Sequence, residues 1–263
     1  MRHDRWASAI FCHWEACPAA LQRLLPAGLV VDTHEGKAFV GTVLLSEEGI
    51  SPVVPLLPGW LAAATALSHH AVNVRTYVRP ASGGDGGVFF FTLDCSQILP
   101  AVGARSLFSL PYRLARMHRG AAGSAHSFTS ERLVGVSASV SAEWSVDEGP
   151  AQPAEAGSLA AFLVERYCLY NEAVLLLSRS TVMPREAGLW VGRITHDPWP
   201  LQGARLTRWR SSMLDAVPGL PGALVDPDAA PLVLYSPGVS GIRFWWGGPL
   251  EEGASTVGEV PDR

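Results

Sequence analysis

The chain has 263 residues, of which 48% are hydrophobic and only 17% are charged, with a formal net charge of −4 and a pI near 6.1. That apolar content is enough to bury a sizeable core without disulfides or metals. The mildly acidic balance argues against nucleic acid as a partner. The four cysteines are scattered without C-x-x-C spacing, and no apolar run approaches the roughly 18 residues of a membrane span. We therefore expect a cytoplasmic protein with reduced thiols and no membrane partner.

Apolar alternation and turn residues predict many short strands and few helices. From the N-terminus the predicted strands are Ala7–Trp14, Leu29–Asp32, Ala38–Leu45, Val72–Pro80, Val88–Asp94, Leu114–Met117, Ser127–Leu133, Val136–Trp144, Leu189–Thr195, Arg205–Arg210, Leu232–Tyr235 and Gly241–Trp246. The predicted helices are Pro18–Leu25, Leu159–Asn171 after a cap at Ser158, and Ser211–Val217. We expect Leu29–Asp32 and Ala38–Leu45 to form a hairpin.

This pattern predicts an α+β, mostly β fold, with an antiparallel β-barrel or sheet and a few peripheral helices. The length fits one domain over residues 1–250, followed by a disordered tail over residues 251–263. A homo-oligomer is compatible with the sequence, which does not specify an oligomeric state.

The most informative stretch is a predicted hairpin, Val72–Pro80 and Val88–Asp94, joined by a Gly-rich turn. Strand alternation places Asn73, Arg75 and Tyr77 on one face. A guanidinium does not lose its proton, so a buried Arg75 requires an anionic or multiply accepting partner. Two alternatives stay open: a ligand anion, or a structural ion pair with a carboxylate such as Asp94 or Glu165.

Several segments, spread over nearly the whole chain in the expected order, resemble an uncharacterised bacterial family. They are Leu24–Val43, Asn73–Val78, Val88–Asp94, Gly103–Met117, Glu165–Tyr170, His196–Leu201 and Leu234–Val239. The chain is identified by them as a member of the DUF2071 (YqjF-like) family. One segment also resembles the acetoacetate-decarboxylase-like superfamily, and this resemblance implies a barrel that encloses a cavity for a small organic molecule.

The resemblance also bears on the chemistry. Decarboxylases of this superfamily form a Schiff base through a lysine that follows a proline, and here Pro111 is followed by Tyr112 and Arg113. Neither side chain can form an imine. The only lysine, Lys37, lies in a predicted turn. An imine-dependent decarboxylase is therefore disfavoured.

Six residues are candidates for the site. The predicted catalytic residues are Tyr112 and His196, and the predicted substrate-binding residues are Arg75, Asn73, Tyr77 and Arg113. Tyr112 is either a proton donor in the cavity or a core tyrosine with a satisfied hydroxyl. His196 is either a general base or a residue that stabilises the bend before Asp-Pro-Trp-Pro.

Other polar residues carry weaker signals. His69 and His70 are adjacent, so a strand would point them in opposite directions, and no acidic residue or cysteine stands at metal-ligand spacing. Family members usually carry an acidic residue where this chain has Ala71. Because no phosphate loop, nucleophile elbow or zinc motif is present, we expect neither a cofactor nor a metal.

Two functions from different classes remain open. The first is an enzyme that acts on a small carbonyl or carboxylate compound without an imine, as a lyase, dehydratase or isomerase. The second is a non-catalytic protein that binds a small molecule in the same cavity.

Overall fold

A computed structural model describes residues 2–51, 66–97, 110–173 and 188–250. The strands are β1 (Arg2–Ala16), β2 (Leu29–Val31), β3 (Ala38–Ile50), β4 (Leu67–Pro80), β5 (Gly87–Cys95), β6 (Tyr112–Ala122), β7 (Ala125–Arg132), β8 (Ser139–Val146), β9 (Gln152–Pro153), β10 (Cys168–Ala173), β11 (Gly188–Thr195), β12 (Pro200–Leu201), β13 (Ala204–Ser211) and β14 (Leu232–Pro249). The helices are α1 (Pro18–Gln22) and α2 (Leu159–Val164), and Pro221–Ala223 forms a 3-10 turn. The fold is mostly β, as predicted.

Strand pairing curls the main sheet into a closed ring. β1 pairs with β3 and β14, β3 with β4, β4 with β5, β5 with β10, β10 with β11, and β11 with β14. Most of these pairings are antiparallel, whereas β5 runs parallel to β10. The ring has an interior face and an exterior face, and consecutive residues of each strand alternate between them.

One strand also joins the ring to a second layer. The first half of β5 pairs with β10, and its second half pairs in parallel with β6. β6, β7, β8 and β13 then continue the sheet in antiparallel order. Their apolar residues, including Met117, Phe128 and Trp144, pack in one buried cluster with Ile10 and Val74 of the ring. The second layer therefore covers the outer face of the ring.

The predicted hairpin forms, with β4 and β5 paired from Ala71 to Val78. Val72 and Val74 belong to the cluster beneath the second layer. Tyr77, on the opposite face, belongs to a different buried cluster inside the ring. The alternation predicted from the sequence is confirmed, and it turns the polar face of β4 inward.

The prediction that Leu29–Asp32 pairs with Ala38–Leu45 is wrong. β2 pairs with the end of β4, at Leu29–Pro80 and Val31–Val78, and β4 lies between β2 and β3. The turn at Glu35 and Gly36 does form, with positive φ at both residues. β4 is long enough to pair with both strands, which a local hairpin rule does not take into account.

The long helix predicted from Leu159 to Asn171 is also wrong in its second half. Ser158 caps α2, its hydroxyl accepting a hydrogen bond from the Ala161 amide at 3.2 Å. The helix ends at Val164, because Glu165 leaves the helical region at φ −88° and ψ 78°. The chain then enters β10, where pairing with β11 overrides the helical spacing of the sequence.

Two smaller differences separate the observed elements from the predicted ones. The two predicted C-terminal strands form one continuous strand, β14. Residues 212–217, predicted as part of a helix, form turns. Residues 52–65, 98–109 and the predicted tail 251–263 lie outside the described residues, and the single domain over residues 1–250 stays a prediction. No helix in the described part of the chain is long and apolar enough to cross a membrane.

Candidate functional site

A cavity of about 130 Å³ lies inside the ring. Its walls are largely apolar, and a few polar side chains project from them. The polar residues are His3, Glu47, Asn73, Arg75, Tyr112, Arg166 and His196. The aromatic residues of the wall include Trp6, Phe11 and Trp199. A cavity of this size holds a molecule of roughly six heavy atoms, since a cavity of about 150 Å³ accommodates benzene.

Arg75 projects into this cavity from β4. Its Nη2 donates a hydrogen bond to the Leu163 carbonyl at 3.0 Å, and its guanidinium lies 5.6 Å from the ring centroid of Phe11. The buried Nε has no hydrogen-bond partner. Among the described residues Arg75 pairs with neither Asp94 nor Glu165, which bond instead to the Arg132 side chain and the Trp199 amide. The guanidinium therefore keeps unused donors beside the cavity.

Tyr77 serves the scaffold around Arg75. Its hydroxyl donates to the same Leu163 carbonyl at 2.8 Å and lies 2.7 Å from His13 Nε2. Because the hydroxyl proton goes to the carbonyl, His13 Nε2 must carry the hydrogen of the second bond. Burial, and then the charge of Arg75, lower the pKa of His13, so the ring is neutral. Tyr77 does not line the cavity itself.

Asn73 borders the cavity two positions before Arg75. It is 7% exposed, and its Oδ1 is buried without a hydrogen-bond partner. A buried carbonyl oxygen of this kind is costly unless water or a ligand donates to it.

His196 follows β11 at the bend before β12 and lines the cavity. Its Nδ1 lies 2.7 Å from the Asp197 carbonyl oxygen, which can only accept, so Nδ1 carries the proton of the neutral ring. Burial lowers the pKa of His196 below its ordinary 6.5, although the hydrogen bond to Asp197 and the Glu165 carboxylate act in the opposite direction. At neutral pH, Nε2 is therefore an unprotonated base.

Tyr112 begins β6 and also lines the cavity. Burial, followed by the negative charge of Glu47, raises the pKa of its phenol well above the usual value, so it stays protonated and can donate. Arg113 is next along the strand and does not line the cavity; it lies near Gly135. The structure thus brings Arg75, Asn73, Tyr112 and His196 together and places Tyr77 and Arg113 outside the cavity wall.

The cavity contains a carboxylate that the sequence analysis missed. Glu47 Oε2 lies 3.0 Å from His3 Nδ1, which also lies 2.9 Å from the Trp6 indole nitrogen. Burial raises the pKa of Glu47, but the hydrogen bond from His3 and the nearby His69 imidazole outweigh it, so the pKa is lowered and the group is ionised. The signal was present: continuing the alternation of β3 past Leu45 turns Glu47 inward.

Trp6 was missed for a different reason. β1 carries an irregularity between Ala7 and Ile10, where Ser8 has a positive φ of 49°. This bulge shifts the alternation, so that Trp6 and Phe11 face the same cavity although one is even-numbered and the other odd-numbered. Trp6 stacks on Trp199 with ring centroids 5.9 Å apart.

The cavity has no amine nucleophile among the described residues. Lys37, the only lysine of the chain, is exposed and forms an ion pair with Glu15 at 2.7 Å. Within the described ranges, no three histidine, cysteine or acidic side chains cluster as ligands for a metal ion. The polar groups present favour anion binding and proton transfer.

The fold resembles solved structures of the acetoacetate-decarboxylase-like class. The enduracididine biosynthesis enzyme MppR, complexed with pyruvate, aligns with a TM-score of 0.56 and 16% identity over 93% of this chain and 91% of its own. An acetoacetate decarboxylase-like enzyme from Sphingomonas wittichii RW1 aligns with a TM-score of 0.55 and 14% identity over 94% and 92%. These likenesses establish the fold.

The family follows from the sequence matches. The model of DUF2071, described as an uncharacterized conserved protein, matches residues 3–240. The uncharacterized protein YqjF of Bacillus subtilis (strain 168) is 30% identical over 241 residues, 91% of this chain and 88% of that protein. The chain belongs to the DUF2071 family.

Proposed function

We propose that the chain binds a small carboxylate or carbonyl compound in the ring cavity and catalyses proton transfer on it without an imine, as a lyase, dehydratase or isomerase. Arg75 would hold the anionic group. His196 Nε2 would accept a proton and the Tyr112 hydroxyl would donate one. The observation that carries this proposal is a partly buried arginine that lines a cavity, has no carboxylate partner among the described residues and shares the cavity with a neutral histidine.

The charge arrangement supports an anionic ligand. A buried guanidinium stays charged, so an uncompensated one is costly until an anion binds it. The electrostatic influence of Arg75 reaches His196, where it acts to lower the pKa. Because Arg75 and His196 line the same cavity, a carboxylate bound at Arg75 would place its neighbouring carbon atoms in the cavity that the base borders.

The size of the cavity limits the ligand. About 130 Å³ suits a compound of roughly six heavy atoms rather than a nucleotide or a peptide. MppR has been solved in complex with pyruvate, a three-carbon keto acid of this size. Imine chemistry is not available to this chain, since its single lysine lies in an exposed ion pair.

The second candidate is a binding protein without turnover. The apolar walls favour it, because residues such as Phe11, Leu93 and Phe244 enclose most of the cavity. A binding protein needs only such walls and a few polar anchors. Solvent deuterium exchange into a bound keto acid distinguishes the two functions, since only the enzyme catalyses it.

The proposed function is tested with two variants of residues that donate to the Leu163 carbonyl. Arg75→Met removes the Arg75 cation and one hydrogen bond to the Leu163 carbonyl, whereas Tyr77→Phe removes the other bond to that carbonyl and keeps the cation. Calorimetric titration with unsubstituted and 2-keto acids of three to six carbons measures affinity. We expect Arg75→Met to weaken binding by 10-fold or more, on the order expected for a lost charged hydrogen bond.

Tyr77→Phe is the matched control for the fold, and it should lower the melting temperature but leave the affinity for acids within about twofold. If Arg75→Met folds and binds the acids as well as the wild type does, Arg75 belongs to the core alone. If the wild type binds none of the acids, the proposed function is wrong.

A further inference from the structure

A partly buried cation and a buried carboxylate border the same cavity at different levels of the sheet. Arg75 pairs across the sheet with Gly41, and Glu47 pairs with His69 further along β4. Both side chains line the cavity. In the part of the chain that the structure describes, they form no ion pair with each other. The cavity therefore has a cationic end and an anionic end.

The carboxylate of Glu47 has unused capacity. Its Oε2 contacts His3 Nδ1 at 3.0 Å, while Oε1 lies 3.9 Å from His69 Nε2, which is too long for a hydrogen bond. An ionised carboxylate has about four acceptor sites. The Trp6 indole N–H, which lies 2.9 Å from His3 Nδ1, adds at most one further donor, so acceptor sites remain for a group in the cavity.

Asn73 adds a second acceptor of the same kind. It lies on the inward face of β4 between the levels of Arg75 and Glu47, and its buried Oδ1 has no hydrogen-bond partner. Arg75 thus has spare donors, whereas Glu47 and Asn73 have spare acceptors. A ligand with only an anionic group would satisfy Arg75 and leave these acceptors without partners.

We propose that the ligand is bifunctional. Arg75 binds its carboxylate, and Glu47 and Asn73 accept hydrogen bonds from a second group, an ammonium or a hydroxyl. The substrate class is therefore small amino- or hydroxy-carboxylates. This inference rests on the proposed function and deepens it by naming the second group that the cavity recognises.

Selectivity should follow from the unsatisfied acceptors. A site built to bind a donor discriminates strongly against an analogue that lacks it, because the buried acceptors then lose both water and ligand. A hydrogen bond from an ammonium or hydroxyl donor is stronger when the acceptor is a carboxylate than when it is neutral. Glu47 is therefore expected to contribute more to the selectivity than Asn73.

The experiment measures the affinities of matched acids by calorimetric titration. Unsubstituted alkanoates of three to six carbons are each compared with their hydroxy and amino derivatives. We expect at least one derivative to bind the wild type about tenfold or more tightly than its parent acid. Glu47→Gln should remove most of that preference.

Glu48→Gln is the control, since Glu48 is the exposed neighbour of Glu47 on the same strand. Asn73→Ala provides a second variant, which should reduce the preference by a smaller factor. If the wild type binds the parent acids through Arg75 but prefers no derivative, this inference is wrong and the proposed function stands. A preference that persists undiminished in Glu47→Gln and Asn73→Ala overturns the assignment of the acceptors.

Discussion

At the scale of single residues, the backbone determines the chemical state of the candidate base. The Asp197 carbonyl holds the proton of His196 on Nδ1, so the lone pair lies on Nε2. The ring packs against Tyr167 in a tilted arrangement, with centroids 4.8 Å apart, which limits its rotation. A base that is neutral and oriented before substrate binds needs little reorganisation during proton transfer.

His196→Asn should therefore separate binding from catalysis. The asparagine amide can still donate to the Asp197 carbonyl, but it has no basic nitrogen. We expect deuterium exchange into a bound keto acid to fall by about 10²–10⁴-fold, with affinity for the acid almost unchanged. In the wild type the exchange rate should decline as pH falls through the lowered pKa of His196, below 6.5. Unchanged exchange in the variant would remove His196 from the mechanism.

The inward face of β4 was predictable from the sequence, because the period-2 pattern of Asn73, Arg75 and Tyr77 is local. The partner of Arg75 was not. The Leu163 carbonyl that accepts from it belongs to a helix 88 positions away in sequence, and no pattern in the chain specifies that contact. Glu47 could have been found by extending β3, whereas the bulge that turns Trp6 inward leaves no clear trace in composition.

At the scale of elements, a buried ion pair fastens β5 to the second layer. Arg132 of β7 donates through Nη2 and Nε to Asp94 at 2.7 and 3.0 Å, and its Nη2 also lies 2.8 Å from the Thr92 hydroxyl. The two charged side chains are 1% and 0% exposed. Removing one charge would leave the other buried without a partner. The free-energy cost of that unpaired charge exceeds the stabilisation that the intact pair provides.

Asp94→Asn should lower the free energy of unfolding by about 3–5 kcal/mol. Glu131→Gln is a suitable comparison, because Glu131 pairs with Arg116 between β7 and β6 at 3.5 Å but both side chains are more than 60% exposed. That surface pair should contribute at most about 1 kcal/mol. Urea denaturation measures both, and similar losses for the two variants would contradict the structural role given to Asp94.

Element types were easier to predict than their partners. In the second layer β6, β7 and β8 are consecutive strands that pair antiparallel with their neighbours in sequence, so local sequence patterns predicted them. The pairing of β2 with β4 and the change from helix to strand after Val164 depend on distant segments. The apolar residues of Leu159–Asn171 are spaced as in one helix, but they are buried on a helix and on the strand that follows it. The pattern of a single sequence cannot distinguish these two cases.

At the scale of the whole molecule, several histidines are buried in the neutral state. Burial lowers the pKa of His13, with the charge of Arg75 adding to the effect, and it also lowers the pKa of His69 although Glu47 opposes it. In the unfolded chain these rings titrate near 6.5. Between the folded and unfolded pKa values the unfolded state binds more protons, so acid favours unfolding.

The free energy of unfolding should therefore be steady above about pH 7 and fall as the pH is lowered through 6.5, by up to about 1.4 kcal/mol per pH unit for each such histidine. His13→Asn should reduce the slope, measured by urea denaturation at a series of pH values. Replacement of His118, which is exposed on β6, should leave it unchanged. A flat profile between pH 5 and 7 would contradict this prediction.

The pairing of β1 with β14 has a consequence for how the chain is made. Arg2 pairs with Arg243, so β1 receives one of its two neighbours only after about 240 more residues have been added. At roughly 5–20 residues per second, this takes on the order of 12–50 s. During that interval one edge of an apolar strand stays open to other chains. Newly made protein should therefore depend on chaperones far more than the finished ring does.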